Sequence, residues 1–240
     1  RDGGEWVIDG AKIVVTSAPL ATHLLVTART SGDRRDTAGV SLFLVEFDPA
    51  NPRAGVEMHS YRTIDDRRAS DLTFSGLRVP ADALLGDEGG AWPSVSRGID
   101  EATTAVAAEA VGLMRKVLAD TVEYTKQRRQ FGHPIGSFQA LQHRMVDMYM
   151  ELEQAISAVY LAVMHLEADD LVRARSVSAT KATISRAARF IGQNAVQLHG
   201  GMGMTEELAV GHYFKRLTAI EYEFGTADHH IARYAELTKA

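Results

Sequence analysis

The 240-residue chain has no cysteine, which removes disulfides, thiolate metal sites and cysteine nucleophiles from consideration together. It has no basic surplus: 26 Lys and Arg stand against 31 Asp and Glu, a net charge of −5. That balance argues against a nucleic-acid binder, whose footprint is an excess of positive charge, and leaves a local anion site open. No run approaches the 18 or so apolar residues of a membrane span, and no signal peptide is visible. Internal repeats and low-complexity stretches are also missing. A sequence without cysteines or targeting signals fits a reducing cytoplasm, and a cytoplasmic location is the expectation. The first residue is Arg1 and not Met, and structured sequence begins at once, so a piece of a longer protein is expected.

What is present is enough apolar material, 45% of residues, for one large core or two small ones. The fold class expected is α+β in two domains, residues 1–90 and 91–240. The first reads as a small β-barrel or sandwich. Trp6-Val7-Ile8 and Ile13-Val14-Val15 flank Asp9-Gly10, a pairing that signals a hairpin. Leu24–Ala28 and Val40–Phe47 are apolar, β-branched runs separated by the polar stretch Thr30–Thr37. Ser70–Phe74 and Leu77–Val79 read as short strands ending at Pro80, which cannot donate to a ladder. Beyond Pro93 the apolar spacing changes to three and four. Stripes through Ile99–Val117, Phe138–Leu166, Ile184–Leu198 and Ala227–Leu237 predict an antiparallel four-helix bundle.

Few residues carry an obvious chemical signal. Arg128-Arg129 at a helix end offers two guanidinium forks to a phosphate dianion, or else a solvated C-terminal cap stopped by Gly132 and Pro134. Gln197-Leu198-His199-Gly200-Gly201-Met202-Gly203 permits close backbone approach to a ligand, or is a tight turn after a helix. It is no Rossmann fingerprint, because it follows a helix and not a strand. Nine histidines invite a metal, but His229 and His230 would point about 100° apart on a helix, and no pair has zinc-motif spacing. No nucleophile elbow is present.

Together the motifs resemble the acyl-CoA dehydrogenase family over essentially the whole chain. Gly10-Ala11-Lys12 with Val15-Thr16-Ser17, and Leu72-Thr73-Phe74 through Val79-Pro80 to Leu85-Gly86, are similar to passages of its middle domain. Arg128-x-Gln130-Phe131-Gly132 with Phe138-Gln139, then Gln197-x-x-Gly200-Gly201-x-Gly203, are similar to its C-terminal domain. The resemblance implies FAD held between a β-domain and a helical bundle, with a second subunit completing the site. Thr16 would face the flavin ring, with Val14 where many members carry an aromatic. Arg128 would pair with the pyrophosphate, Gln130 and Phe131 would flank the adenosine, and Gln197 with Gly201 would reach the neighbouring subunit's FAD. Gly225-Thr226 falls at the family's flavin-contacting Gly-Thr. The family's N-terminal helical domain and first β-segment are not in this sequence.

The reaction implied removes an α-proton from an acyl-CoA thioester and passes a hydride to the flavin, which calls for a positioned Glu base. Phe224 stands where most members carry that Glu, and Glu223 precedes it. The alternative family slot, in the first bundle helix, reads Ile99-Asp100-Glu101-Ala102-Thr103, with Ala102 at the base position; Glu109 lies farther along. Three expectations follow: a subunit of a heteromeric dehydrogenase whose partner supplies the base, an active homomer using Glu223 or Glu101, or a flavoprotein or structural paralogue of altered chemistry. The run Gly211–Thr218 with Asp228-His229-His230 is similar to the smaller subunits of bacterial heteromers. An acyl-CoA substrate, a homo- or hetero-oligomer of at least two chains with a dimer of dimers expected, and an electron-transfer acceptor complete the expectation.

Overall fold

The computed structural model describes residues 1–239 and divides into two compact units, Arg1–Ser96 and the chain from Arg97 onward. In the first unit, β1 (Glu5–Thr16), β5 (Arg68–Pro80) and β4 (Val56–Arg62) form one antiparallel sheet in the order β1-β5-β4. β2 (His23–Arg29), β3 (Val40–Glu46) and β6 (Leu84–Leu85) form the other. Alternation puts Trp6 and Ile8, Leu24 and Val26, and Phe43 and Val45 into one shared core. Trp6 and Phe43 meet edge to face across the two sheets at 5.3 Å. The unit is therefore a two-sheet sandwich; no closed barrel forms among the described residues.

The Asp9-Gly10 hairpin does not form. β1 runs straight through that dipeptide, and its pairing with β5 slips between Ile8 and Gly10. The Asp9 carboxylate accepts a 2.6 Å bond from the Gly76 amide on β5, so it organises a bulge and not a turn. The bulge explains why β5 buries Leu72 and Phe74, then Leu77 and Val79: one extra residue flips the inward phase. The two short strands read from sequence are the halves of β5. Strand β4 was not anticipated, because Val-Glu-Met-His-Ser-Tyr-Arg buries none of its side chains fully.

The second unit contains α1 (Trp92–Gln127), a small hairpin of β7 (Arg129–Gln130) and β8 (His133–Pro134), α2 (Gln139–Met164) and α3 (Asp170–His199). A 3₁₀ turn over Gly200–Met204 leads to α4 (Ala209–Tyr222) and α5 (Ala227–Lys239). Asp169 caps α3, its carboxylate accepting from the Leu171 and Val172 amides at 3.1 and 3.0 Å. The apolar core joins Met114 and Val117 of α1, Met148 and Leu152 of α2, Ile184 and Ile191 of α3, and Leu217 and Ile220 of α4.

The fourth core helix is thus α4, not the Ala227–Leu237 segment expected from its stripe. Ile231 and Tyr234 of that stripe face outward, while α5 packs through buried His230 and through Arg233, which donates to Asp100 at 2.8 Å. Arg216 interrupts the α4 pattern and hides its periodicity, although Val210, Leu217 and Ile220 keep helical spacing.

Candidate functional site

The end of α1 is fixed on both sides of Arg128. Its amide donates to Tyr124 O and its carbonyl accepts from Ile135 N, each at 2.8 Å. The hairpin that follows turns at Phe131-Gly132, with φ of 54° and 81°. Both central residues of such a tight turn need positive φ, a place suited to Asn or Gly. Phe131 occupies it and is 87% exposed. A bulky residue in the left-handed region costs about 1–3 kcal/mol, and strain of that kind collects at functional sites. Arg129 braces the turn by donating to Gly132 O at 3.1 Å, and Gln130 donates to Arg129 O at 2.8 Å.

The end of α3 supplies the other wall. Tyr124 stacks on His199 at 4.2 Å, and its hydroxyl donates to His199 O at 3.2 Å, which ties the two helix ends together. Gly203 is required by close approach, since a Cβ there would lie 2.6 Å from Val196 O. Gly201 differs, having nothing within 4 Å of where a Cβ would stand. Its backbone is open to a ligand.

Arg128, Gln130, Phe131, Gln197 and Gly201 all line one cavity of about 680 Å³, with Phe138, Leu141, Arg144 and Met202 among the remaining walls. No Asp or Glu lines it. The Arg128 and Arg144 guanidinium groups make no hydrogen bond or ion pair with the described residues. Two uncompensated cations, a strained exposed aromatic and open glycine backbone suit an anionic ligand with a flat ring.

Thr226 lies elsewhere, in a second cavity of about 490 Å³ with Arg186, Arg189, Phe190, Tyr222 and Glu221. Its hydroxyl caps α5 by accepting from His229 N at 3.3 Å, which leaves the hydroxyl proton available to an acceptor. The preceding turn is strained, with Phe224 at φ 57° and Gly225 at φ 110°. A Cβ on Gly225 would lie 2.5 Å from the His229 ring. Cationic and imidazole groups hold this turn from beneath. The fully buried Lys181 ammonium donates to Gly225 O at 2.8 Å, to Glu221 O at 3.1 Å and to Ser185 Oγ at 3.4 Å. Burial pushes its pKa down to about 8, against the pull of Glu221 and Glu223. His230 Nε2 donates to Phe224 O at 3.0 Å, and its Nδ1 is buried without a partner. Burial lowers that imidazole to about 4, with the Phe224 carbonyl opposing.

The carboxylates weighed as bases are all engaged. Arg216 donates to Glu223 at 2.6 and 3.2 Å and to Glu109 at 2.6 and 2.8 Å. Burial works against the Arg216 charge, but its bonds to the two glutamates outweigh this and raise its pKa. Glu101 pairs with Arg97 at 2.8 Å on the surface. Asp100 is fully buried and accepts from Arg173 at 3.3 Å and Arg233 at 2.8 Å. Glu221 pairs with Arg189.

In the first unit, Thr16 is exposed at the end of β1, paired with Ala69. Val14 beside it has φ 52°, an outlier for a β-branched residue, and Ser17 has φ 63°. The Asp71 carboxylate anchors this stretch, accepting from Val14 N at 2.9 Å and from the Tyr61 hydroxyl at 2.8 Å. Those two bonds, the Val14 amide first, hold the Asp71 pKa below the usual carboxylate value.

Sequence reasoning missed Lys181 and Arg144. Lys181 left a readable signal: Val177, Lys181, Ile184, Ala188, Ile191, Ala195 and Leu198 share one stripe of α3, so a charge sits in an apolar register. Arg144 left none.

A two-sheet β unit followed by a helical bundle with an anion-suited cavity at its helix ends defines the class of protein. Residues 1–77 match the acyl-CoA dehydrogenase middle domain, and residues 89–237 match the acyl-CoA dehydrogenase C-terminal domain. The chain belongs to the acyl-CoA dehydrogenase family. It is 31% identical over 225 residues to a protein named probable acyl-CoA dehydrogenase FadE25 of Mycobacterium tuberculosis, covering 94% of this chain and 57% of that relative. The solved butyryl-CoA dehydrogenase from Megasphaera elsdenii superposes with a TM-score of 0.88 at 27% identity, over 100% of this chain and 62% of that one. A solved variant of a steroid ACAD superposes with a TM-score of 0.84 at 30% identity, over 100% of this chain and 61% of that one. The chain thus spans about 57–62% of the length of these relatives. Among the described residues no helix is long and apolar enough to cross a membrane, and no cluster of metal-binding side chains occurs.

Proposed function

We propose that this chain is the middle and C-terminal part of an FAD-dependent acyl-CoA dehydrogenase subunit that works within a larger assembly. The observation that carries the reading is the convergence of Arg128, Gln130, Phe131, Gln197 and Gly201 on one carboxylate-free cavity. When bound, FAD supplies the acceptor for the hydride leaving Cβ of an acyl-CoA thioester. Arg128 holds the diphosphate, and Gln130 and Phe131 flank the adenosine. Because Gln197 and the open Gly201 backbone line the same cavity as Arg128, they join this wall, instead of reaching a different FAD in the neighbouring subunit as the resemblance implied. Thr16, Gly225 and Thr226 are assigned to the flavin ring by the family resemblance alone. Thr226 is not among the lining residues of the Arg128 cavity, which fits a cofactor shared with a second chain.

Full-length protein purified with its partner should be yellow and should bleach anaerobically on addition of an acyl-CoA. A colourless complex with no extractable flavin would overturn the proposal.

A second reading is favoured by the ion pairs: this subunit binds flavin but contributes no base, and a dehydrogenase-like partner subunit supplies it. Both oxygens of Glu223 are engaged by the Arg216 guanidinium, at 2.6 and 3.2 Å. Changing Glu223→Gln in the assembled complex separates the two. Turnover within about twofold of wild type supports the base-free subunit, whereas a loss of about a hundredfold, the scale of general-base catalysis, makes Glu223 the base. The electron acceptor belongs to the same proposal.

A further inference from the structure

Arg144 is a second cation in the Arg128 cavity, from a different helix and outside every motif of the family resemblance. It stands in the second turn of α2, half-buried. Phe138, Leu141 and Arg144, spaced three apart, all line the cavity. The Arg144 guanidinium has no partner among the described residues, and neither has that of Arg128. Elsewhere in the unit, the buried Arg173 is neutralised by Asp100 and the buried Arg216 by Glu109 and Glu223, while the part-buried Arg175 is held by the Leu237 carbonyl. Arg128 is exposed and Arg144 half-buried, so placement and not burial is what counts: two guanidinium groups in one carboxylate-free cavity concentrate positive charge that suits an anion of more than one charge.

We propose that Arg144 is a second phosphate ligand of this cavity, closing on a dinucleotide diphosphate from α2 while Arg128 reaches it from the end of α1. The inference rests on the FAD reading and adds a residue to it. A diphosphate carries two negative charges, and two guanidinium forks match them one to one. Because Arg144 holds no other residue, replacing it breaks no internal bond, and the variant should fold.

The test is titration of FAD into flavin-stripped full-length protein, followed by flavin fluorescence at low and high salt. Arg144→Gln should weaken FAD binding about tenfold, the worth of one charge-assisted bond, and should flatten the salt dependence of the affinity. Arg144→Lys, which keeps the charge, should stay within about threefold of wild type. If Arg144→Gln binds FAD like wild type while Arg128→Ala loses it, the inference falls and the FAD reading stands. Weakened binding with an unchanged salt dependence would mean that Arg144 acts through packing, and it too overturns the inference. If wild-type protein binds no FAD at all, the underlying reading fails and this one with it.

Discussion

The two ends of the helical unit handle charge in opposite ways. At the α4–α5 junction ionic groups are matched: Lys181 by three oxygens, Glu221 by Arg189, and Glu223 with Glu109 by Arg216. At the cavity between the ends of α1 and α3, Arg128 and Arg144 stand without counter-charges. A satisfied charge is explained by the fold that satisfies it. Two unmatched cations that line one carboxylate-free cavity leave a positive field that an anionic ligand fits. The contrast also bears on catalysis: of the carboxylates nearest the family's base positions, Glu223 lies in the matched set and Glu101 pairs with Arg97 on the surface.

The largest effect should come from breaking the matched end. Arg216→Met leaves two part-exposed glutamates close together without their shared cation and should cost about 3 kcal/mol in urea unfolding, the low end for breaking a buried pair. Adding Glu109→Gln and Glu223→Gln should recover a large part of that loss, since the three residues act as a unit. Additive losses would show that the triad is not one.

His230 gives the next effect, through pH. Its folded pKa is lowered to about 4, so between the ordinary imidazole value of 6.5 and that point the unfolded chain binds more protons than the folded one. Stability therefore falls as pH drops through that window, by up to about 3 kcal/mol. His230→Gln keeps a donor for Phe224 O and should flatten this part of the stability profile. An unchanged slope would place the acid sensitivity elsewhere.

Arg128 and Arg129 sharpen the open end. Arg128→Ala should weaken FAD retention ten- to a hundredfold, about 1.5–3 kcal/mol, whereas Arg129→Ala should change it little because Arg129 braces the hairpin backbone. Equal losses would reverse that assignment. The smallest effect is expected at Glu101, whose pairing with Arg97 is exposed: Glu101→Gln should move stability by no more than about 0.5 kcal/mol and leave turnover of the complex intact.

Much of this was legible in the sequence, and the failures have physical reasons. The α3 stripe and the β2 and β3 runs are strong periodic signals, and the structure keeps them. The Asp9-Gly10 dipeptide misled because the same two residues that turn a hairpin also make a bulge; what decides is whether a distant strand offers an amide, here that of Gly76, to the Asp9 carboxylate. The α5 stripe misled because periodicity identifies a face without saying whether the core reaches it. Buried Asp100 draws Arg233 inward, and the polar side of α5 packs instead.

By itself the sequence determined the class of fold, the helix and strand signals that local spacing encodes, and the ordered motifs that carry the family resemblance. These depend on residues within a few turns of one another. Only the tertiary structure decided that Arg128 and Gln197, far apart along the chain, face one cavity, that Arg144 joins them, and that Arg216 occupies Glu223. Pairing of charges depends on which side chains meet after folding, and spacing along a single chain does not record it.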